Sequence, residues 1–157
     1  MTLYYLDASA WIKRYCNEEG TDSVAAFFAE GPAVGCAALG LVEVVSTLTR
    51  KAKAGDMRTA DMRLKCREAE RDFSLFHKVF LTTDLLRRAC ECAQRYGLRG
   101  ADTVHLASCL ELNKSEWGAD IKVVMVSSDT ELLVGATEAG VATRNPEEGP
   151  ILSGRLL

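Results

Sequence analysis

Short apolar runs alternate with segments of helical periodicity along this chain, and this alternation restricts the possible folds more than any other feature. Two runs, Leu3–Leu6 and Lys122–Val126, are typical of strands buried on both faces of a sheet. Less apolar strand candidates are Ala33–Ala37, Val79–Leu81 and Val141–Thr143. Because strands joined through helices form parallel sheets, we predict an α/β fold. It comprises a single domain over residues 1–157, with a central, mainly parallel sheet of about five short strands flanked by helices.

Apolar residues at helical spacing predict the helices between these strands. The predicted helices cover residues 8–15, 21–30, 41–55, 58–76, 86–96, 103–112 and a final segment that ends at Gly140. The helix over 103–112 is apolar nearly all round, so we expect it to be buried. On the basic helix over 58–76, an apolar stripe from Met62 to Phe76 predicts a packing surface, either inside this chain or between two copies in a homodimer.

The composition excludes several classes of protein. Hydrophobic residues make up 48% and charged residues 26% of the chain, which is typical of a soluble globular protein. No apolar run approaches the ~20 residues of a membrane span, and the first residues lack the pattern of a signal peptide. The six cysteines form no C-x-x-C pair and no zinc-binding spacing. We therefore expect reduced thiols, a cytoplasmic location and no membrane partner.

Charge is distributed unevenly along the chain. The net charge is −3, yet residues 50–99 contain 13 Lys or Arg against 7 Asp or Glu. A basic segment beside an acidic remainder predicts a surface that binds a polyanion. The alternative is a set of solvated helix faces without a ligand.

Four carboxylates occupy positions that can converge. Asp7 and Asp129 follow the two most apolar strands, and Glu43 and Asp102 stand near the beginnings of helices. In open parallel sheets the binding crevice lies beyond the carboxyl ends of the strands. Each acid also has an ordinary interpretation, since the three aspartates can cap helices and Glu43 can be an exposed glutamate.

Convergence of these acids would require a counter-charge. Two like charges 4 Å apart repel by ~4 kcal/mol at an effective dielectric constant of about 20. Oxygen ligands without organised His or Cys favour Mg²⁺ or Mn²⁺, and a carboxylate-held metal with open positions suggests phosphoryl chemistry. The two histidines, His77 and His105, are not spaced as the acid and base of a metal-free ribonuclease. We expect His105 to be a hydrogen-bonded core residue.

Several ordered segments together resemble the PIN-domain nucleases, and within them the VapC-type toxins of bacterial toxin–antitoxin pairs. These segments are Tyr5–Ala10, Glu43, Leu98–Ala107, Val126–Asp129 and Ala139–Pro146. The resemblance implies that Asp7, Glu43, Asp102 and Asp129 form an acidic metal site. It also implies that Ser9 and Ser127 position these carboxylates, that an antitoxin protein inhibits the chain, and that the chain forms a homodimer.

These observations lead to one hypothesis, a Mg²⁺-dependent endoribonuclease in which Mn²⁺ can substitute and which is the toxin of a type II toxin–antitoxin system. Asp7, Asp102 and Asp129 would hold the metal, and Glu43 would bind metal or orient the attacking water. Basic side chains would guide the RNA backbone toward the acids. The candidates for this role are Arg50, Lys53, Arg63 and Arg67.

Two classes of alternative stay open at this point. One is a non-catalytic PIN-like module that binds RNA or protein. The other is a Mg²⁺-binding receiver-type signalling domain, although no Asp that would accept a phosphoryl group ends a middle strand, and no Lys follows a later one. A haloacid-dehalogenase-like phosphatase would need an acid two residues after Asp7, where Ser9 stands.

Overall fold

The structure, a computed structural model, describes residues 1–114 and 121–152. In this part of the chain, five strands form one sheet in the order β3-β2-β1-β4-β5. The strands are β1 (Thr2–Leu6), β2 (Ala33–Ala37), β3 (His77–Val79), β4 (Lys122–Val126) and β5 (Ala142–Arg144). Every neighbouring pair is parallel. The predicted α/β fold with a parallel sheet is confirmed; the single-domain prediction extends over residues 115–120 and 153–157, which lie outside the described residues.

The helices alternate with the strands as the periodicity predicts. They are α1 (Ala8–Trp11), continued by the 3₁₀ turn Ile12–Arg14, α2 (Thr21–Ala29), α3 (Ala38–Ala54), α4 (Thr59–Leu75), α5 (Thr83–Tyr96), α6 (Gly100–Lys114) and α7 (Thr130–Glu138). The observed helix boundaries differ from the predicted ones where a capping residue sets the end of the helix. Thr82 caps α5 by accepting a hydrogen bond from Leu85 N–H, so this helix begins before the first apolar residue of its stripe.

The third strand was predicted two residues too late, so only Val79 is shared by the predicted and the observed strand. Its pairing with β2 runs from His77 to Val79, whereas Phe80 and Leu81 of the predicted strand are exposed. Hydrophobicity favoured the later residues, but the hydrogen-bonding register of the neighbouring strand decides which residues pair.

Two hydrophobic clusters cover the two faces of the sheet. Successive side chains of β1 point to opposite faces, so Leu6 packs in one cluster with Trp11, and Tyr5 packs in the other with Leu106. Helix α6 is buried along most of its length, as its nearly uniform apolar sequence predicts. The sheet is therefore covered by helices on both faces.

Helix α4 closes the first of these clusters. Ala69 and Phe76 are buried there, and the partly buried Met62, Cys66 and Phe73 pack against the cluster. Of the two interpretations of the apolar stripe, the structure favours packing inside this chain.

A polar contact fixes the same helix to the 3₁₀ turn. The carboxylate of Asp72, buried in α4, accepts hydrogen bonds from Arg14 Nε and from Tyr15 Oη, each at 2.6 Å. Burial, followed by the hydrogen bond and the charge of Asp72, raises the pKa of Tyr15 well above its ordinary value. Asp72 therefore holds α4 against the segment that follows α1.

The strand order places a crevice beside β1. The chain builds outward from β1 to β2 and β3, then crosses to the other side of β1 to form β4 and β5. The carboxyl ends of β1 and β4 therefore lie side by side at the point where the order reverses, which is where open α/β sheets bind ligands. Among the helices of the described residues, none combines the length and apolar character needed to span a bilayer.

Candidate active site

Asp7 lies at the carboxyl end of β1 and has a dense set of hydrogen bonds. Its side chain is only 4% exposed, and as the N-cap of α1 it accepts a hydrogen bond from Ala10 N–H at 3.0 Å. Ser9 Oγ lies 2.8 and 2.9 Å from its two oxygens, and Ser127 Oγ donates to Oδ2 at 2.7 Å. Burial raises the pKa of Asp7, while His105 and these hydrogen bonds oppose the increase. Asp7 is thus both a helix cap and a fixed, buried carboxylate.

Two serine hydroxyls join the ends of β1 and β4. Ser127 Oγ accepts a hydrogen bond from Asp129 N–H at 2.9 Å, and Ser9 Oγ accepts one from Ser128 N–H at 2.9 Å. Asp129 in turn caps α7 by accepting from Leu132 N–H at 3.0 Å. The loop after β4 is therefore held beside Asp7, which brings the second strand-end aspartate to the same edge of the sheet.

Asp102 faces the same crevice from the first turn of α6. Burial raises its pKa, and the negative charges of Asp129 and Asp7 raise it further, whereas His105 and Arg99 lower it. The charges of two aspartates that are distant in sequence therefore act on Asp102. The alternative interpretation of Asp102 as a helix cap does not hold, since α6 begins at Gly100 and Asp102 lies inside its first turn.

Glu43, on α3, contacts the buried His105 of α6. Its Oε2 lies 2.6 Å from His105 Nε2, at hydrogen-bond distance, and its side chain is 30% exposed. His105 is buried, as predicted for a core residue, and its Nδ1 lies 2.8 Å from Tyr5 Oη. Desolvation lowers the pKa of His105, but the hydrogen bond to Glu43 and the charges of Asp7, Glu43 and Asp102 raise it more. Sequence analysis missed this contact, because His105 and Glu43 are far apart in the chain.

The donor set of this crevice fits a hard divalent cation. Within residues 1–114 and 121–152, no group of three or more His, Cys, Asp or Glu side chains has the arrangement of a completed metal site. Mg²⁺, however, usually keeps several waters and binds through one or two carboxylates together with substrate phosphates. The raised pKa values of Asp7 and Asp102 indicate that their negative charges are unfavourable there, and a cation would offset them.

A groove between α1 and α3 is lined by Glu43 but by none of the three aspartates. Its volume is about 650 Å³. The residues that line it include Ser9, Lys13, Glu43, Thr47, Arg50, Ser128 and Glu147. Of the four basic residues predicted to contact RNA, Arg50 lines this groove, whereas Lys53, Arg63 and Arg67 are exposed elsewhere on α3 and α4. A cavity of similar volume, about 640 Å³, lies beside α7 and β5 and is lined by none of the four acids.

Most of the chain matches one protein family. The model of the PIN domain family matches residues 4–133. The chain belongs to the PIN domain family. Two curated relatives of this PIN domain, Ribonuclease VapC45 and Ribonuclease VapC49 of Mycobacterium tuberculosis, are each 33% identical to it over 144 residues. The match covers 89% of this chain and 93% of each relative.

A solved structure supports the fold of this PIN domain. A chain in a toxin–antitoxin complex from Klebsiella pneumoniae superposes with a TM-score of 0.63 at 14% identity, over 91% of this chain and 97% of that chain. At this identity the likeness shows the fold alone. The resemblance inferred from the sequence motifs is confirmed by the family match.

Proposed function

We propose that this PIN domain is a metal-dependent endoribonuclease that hydrolyses RNA phosphodiester bonds and is the toxin of a type II toxin–antitoxin pair. The main support is the carboxylate of Asp7, held by Ser9 and Ser127 at the switch point of the sheet and electrostatically coupled to Asp102. Two curated relatives bear the name ribonuclease. The family and the site chemistry therefore favour the same activity.

Asp7, Asp102 and Asp129 would hold Mg²⁺ or Mn²⁺, with Glu43 binding the cation or orienting the attacking water. A bound cation supplies a Lewis acid for the phosphate and activates water near neutral pH. The protein contributes carboxylates whose orientation is fixed before the substrate binds. Ser9 and Ser127 fix the orientation of the buried Asp7 carboxylate, so it needs little rearrangement during the reaction.

The groove beside α3 is suited to a single RNA strand. Glu43, Thr47 and Arg50 follow one another at helical spacing on this helix, and Arg50 lies about 10 Å along the axis from Glu43. Arg50 donates to Thr47 Oγ1 at 3.2 Å and forms no ion pair with any residue that the structure describes. Lys13 in the same groove is already paired with Glu147 at 2.8 Å. Arg50 is therefore the best candidate in this groove to bind a phosphate.

An antitoxin protein and a second copy of the chain are the proposed partners. The acidic crevice has the charge to attract an arginine of an inhibitory protein, since Arg pairs strongly with carboxylates. The Klebsiella pneumoniae chain that superposes on this PIN domain belongs to a toxin–antitoxin complex. The homodimer stays a prediction. The six free cysteines fit the predicted location in the reducing cytoplasm.

The test is cleavage of single-stranded RNA by the purified chain with and without divalent cations. We expect Mg²⁺ or Mn²⁺ to support cleavage, EDTA to abolish it, and the products to carry 5′-phosphate and 3′-hydroxyl ends. Asp84→Asn, on the exposed first turn of α5, is a control for Asp7→Asn and should retain full activity. Products with 2′,3′-cyclic phosphate would contradict the proposal, and RNA binding without turnover would indicate the non-catalytic alternative.

A further inference from the structure

A chain of hydrogen bonds runs through the core behind the acids. Tyr5 Oη lies 2.8 Å from His105 Nδ1, and His105 Nε2 lies 2.6 Å from Glu43 Oε2. Tyr5 is fully buried and His105 is 2% exposed, so water does not compete for these contacts. The imidazole lies edge-on to the phenol ring, with ring centroids 6.0 Å apart. His105 therefore has a single fixed orientation between the two side chains.

The backbone determines which way the protons in this chain point. Ala37 N–H donates to Tyr5 Oη at 3.2 Å, so the hydroxyl proton of Tyr5 is available for His105 Nδ1. A neutral imidazole with an acceptor at Nδ1 carries its proton at Nε2. An ionised carboxylate can only accept, so Nε2–H donates to Glu43. Ala37 also precedes the first residue of α3, the helix that carries Glu43.

The same imidazole connects the elements that carry three of the acids. Tyr5 lies two residues before Asp7 on β1, His105 lies three residues after Asp102 on α6, and Glu43 lies on α3. Glu43 Oε1 has no hydrogen-bond partner among the residues that the structure describes, whereas Oε2 is occupied by His105.

We propose that His105, oriented by Tyr5, is a positioning residue that fixes the Glu43 carboxylate and leaves Oε1 available to the reacting groups. This inference rests on the proposed function, because it gives His105 its effect through Glu43 in that reaction. A buried histidine that only fills space would show no such dependence on Glu43.

A double-mutant cycle tests this dependence. His105→Leu removes both hydrogen bonds at similar volume, and we expect kcat to fall about 10- to 100-fold with little change in KM. In a Glu43→Ala background the same substitution should have almost no further effect on kcat. His105→Gln, which retains an N–H donor, should recover part of the loss. An equal loss of kcat in both backgrounds would overturn the proposal and indicate a purely structural role.

A second measurement does not depend on cleavage. In ¹⁵N NMR spectra of the metal-free protein, recorded at a pH at which the His105 ring is neutral, we expect its proton at Nε2 and an unprotonated Nδ1. The double substitution Tyr5→Phe, Glu43→Ala should remove this preference, because it removes both partners of the ring. His77, the other histidine, should be unaffected by that substitution. A proton at Nδ1 with none at Nε2 would overturn the inferred geometry even in an active enzyme. If no cation supports cleavage, the proposed function fails, and the NMR result still decides whether His105 donates to Glu43.

Discussion

Replacing Ser127 with alanine tests how the candidate active site is supported. Ser127 is fully buried, and the substitution removes one hydrogen bond donated to Asp7, one accepted from Asp129 N–H and a longer contact with Ser9 Oγ at 3.3 Å. A hydrogen bond to a charged group contributes about 1.5–3 kcal/mol, and a buried N–H without an acceptor costs about 1–3 kcal/mol. Because Asp129 is only half-buried, we expect the free energy of unfolding to decrease by about 3 kcal/mol, near the lower end of the sum of these two ranges.

Stability and activity should both decrease in this variant. For a domain of this length, 3 kcal/mol lowers Tm by about 6–12 °C. Cleavage per folded molecule should fall about 10- to 100-fold, because Asp7 keeps Ser9 and Ala10 N–H but loses the shorter of the two serine contacts to Oδ2. The free energy of unfolding is measured by urea denaturation in EDTA, so that bound cations do not stabilise the folded state. Rates are measured at saturating Mg²⁺ and at a temperature at which both proteins are folded.

Thr21→Ala is the matched control. Thr21 Oγ1 also accepts from one backbone N–H, that of Glu18 at 2.9 Å, and donates to the carbonyl oxygen of Cys16 at 3.0 Å. It contacts none of the acids, so this variant should lose stability but keep the wild-type rate per folded molecule. If Ser127→Ala changes stability by less than ~0.5 kcal/mol and leaves the rate unchanged, the hydroxyl does not support the site.

Three further predictions concern other side chains. Asp7→Asn should abolish cleavage yet raise the free energy of unfolding in EDTA, because the raised pKa of Asp7 means that its ionised form opposes folding above that pKa. A large loss of stability would contradict this. Asp72→Ala should lower the free energy of unfolding by about 1–3 kcal/mol in urea denaturation, because it leaves the buried Tyr15 hydroxyl without its acceptor while the partly exposed Arg14 can still contact water. An unchanged midpoint would refute the role of this contact. Arg50→Gln should raise KM for RNA and reduce the slope of log affinity against log salt by about 1. Arg63→Gln, which lies outside the groove, should have a smaller effect on both quantities. Equal effects would indicate diffuse attraction instead of binding in the groove.

Local patterns were sufficient to predict much of this protein. The apolar runs that became β1 and β4 predict buried strands, and their alternation with helices predicts the parallel sheet. Because parallel strands share an edge, the same reasoning predicts that Asp7 and Asp129 lie together, and the hydroxyl contacts between their loops agree. The catalytic and metal-binding roles of the four acids stay a prediction.

Tertiary structure alone decided the remaining features. The strand at His77–Val79 depends on the register of its neighbour, and the packing of α4 decides that its apolar stripe faces the core. The contact between Glu43 and His105 spans helices α3 and α6, and only Arg50 of the predicted basic residues reaches the groove. Periodicity and capping residues act over a few positions and can be recognised in one sequence. Contacts between distant side chains depend on how the helices pack across the sheet, which no local pattern specifies.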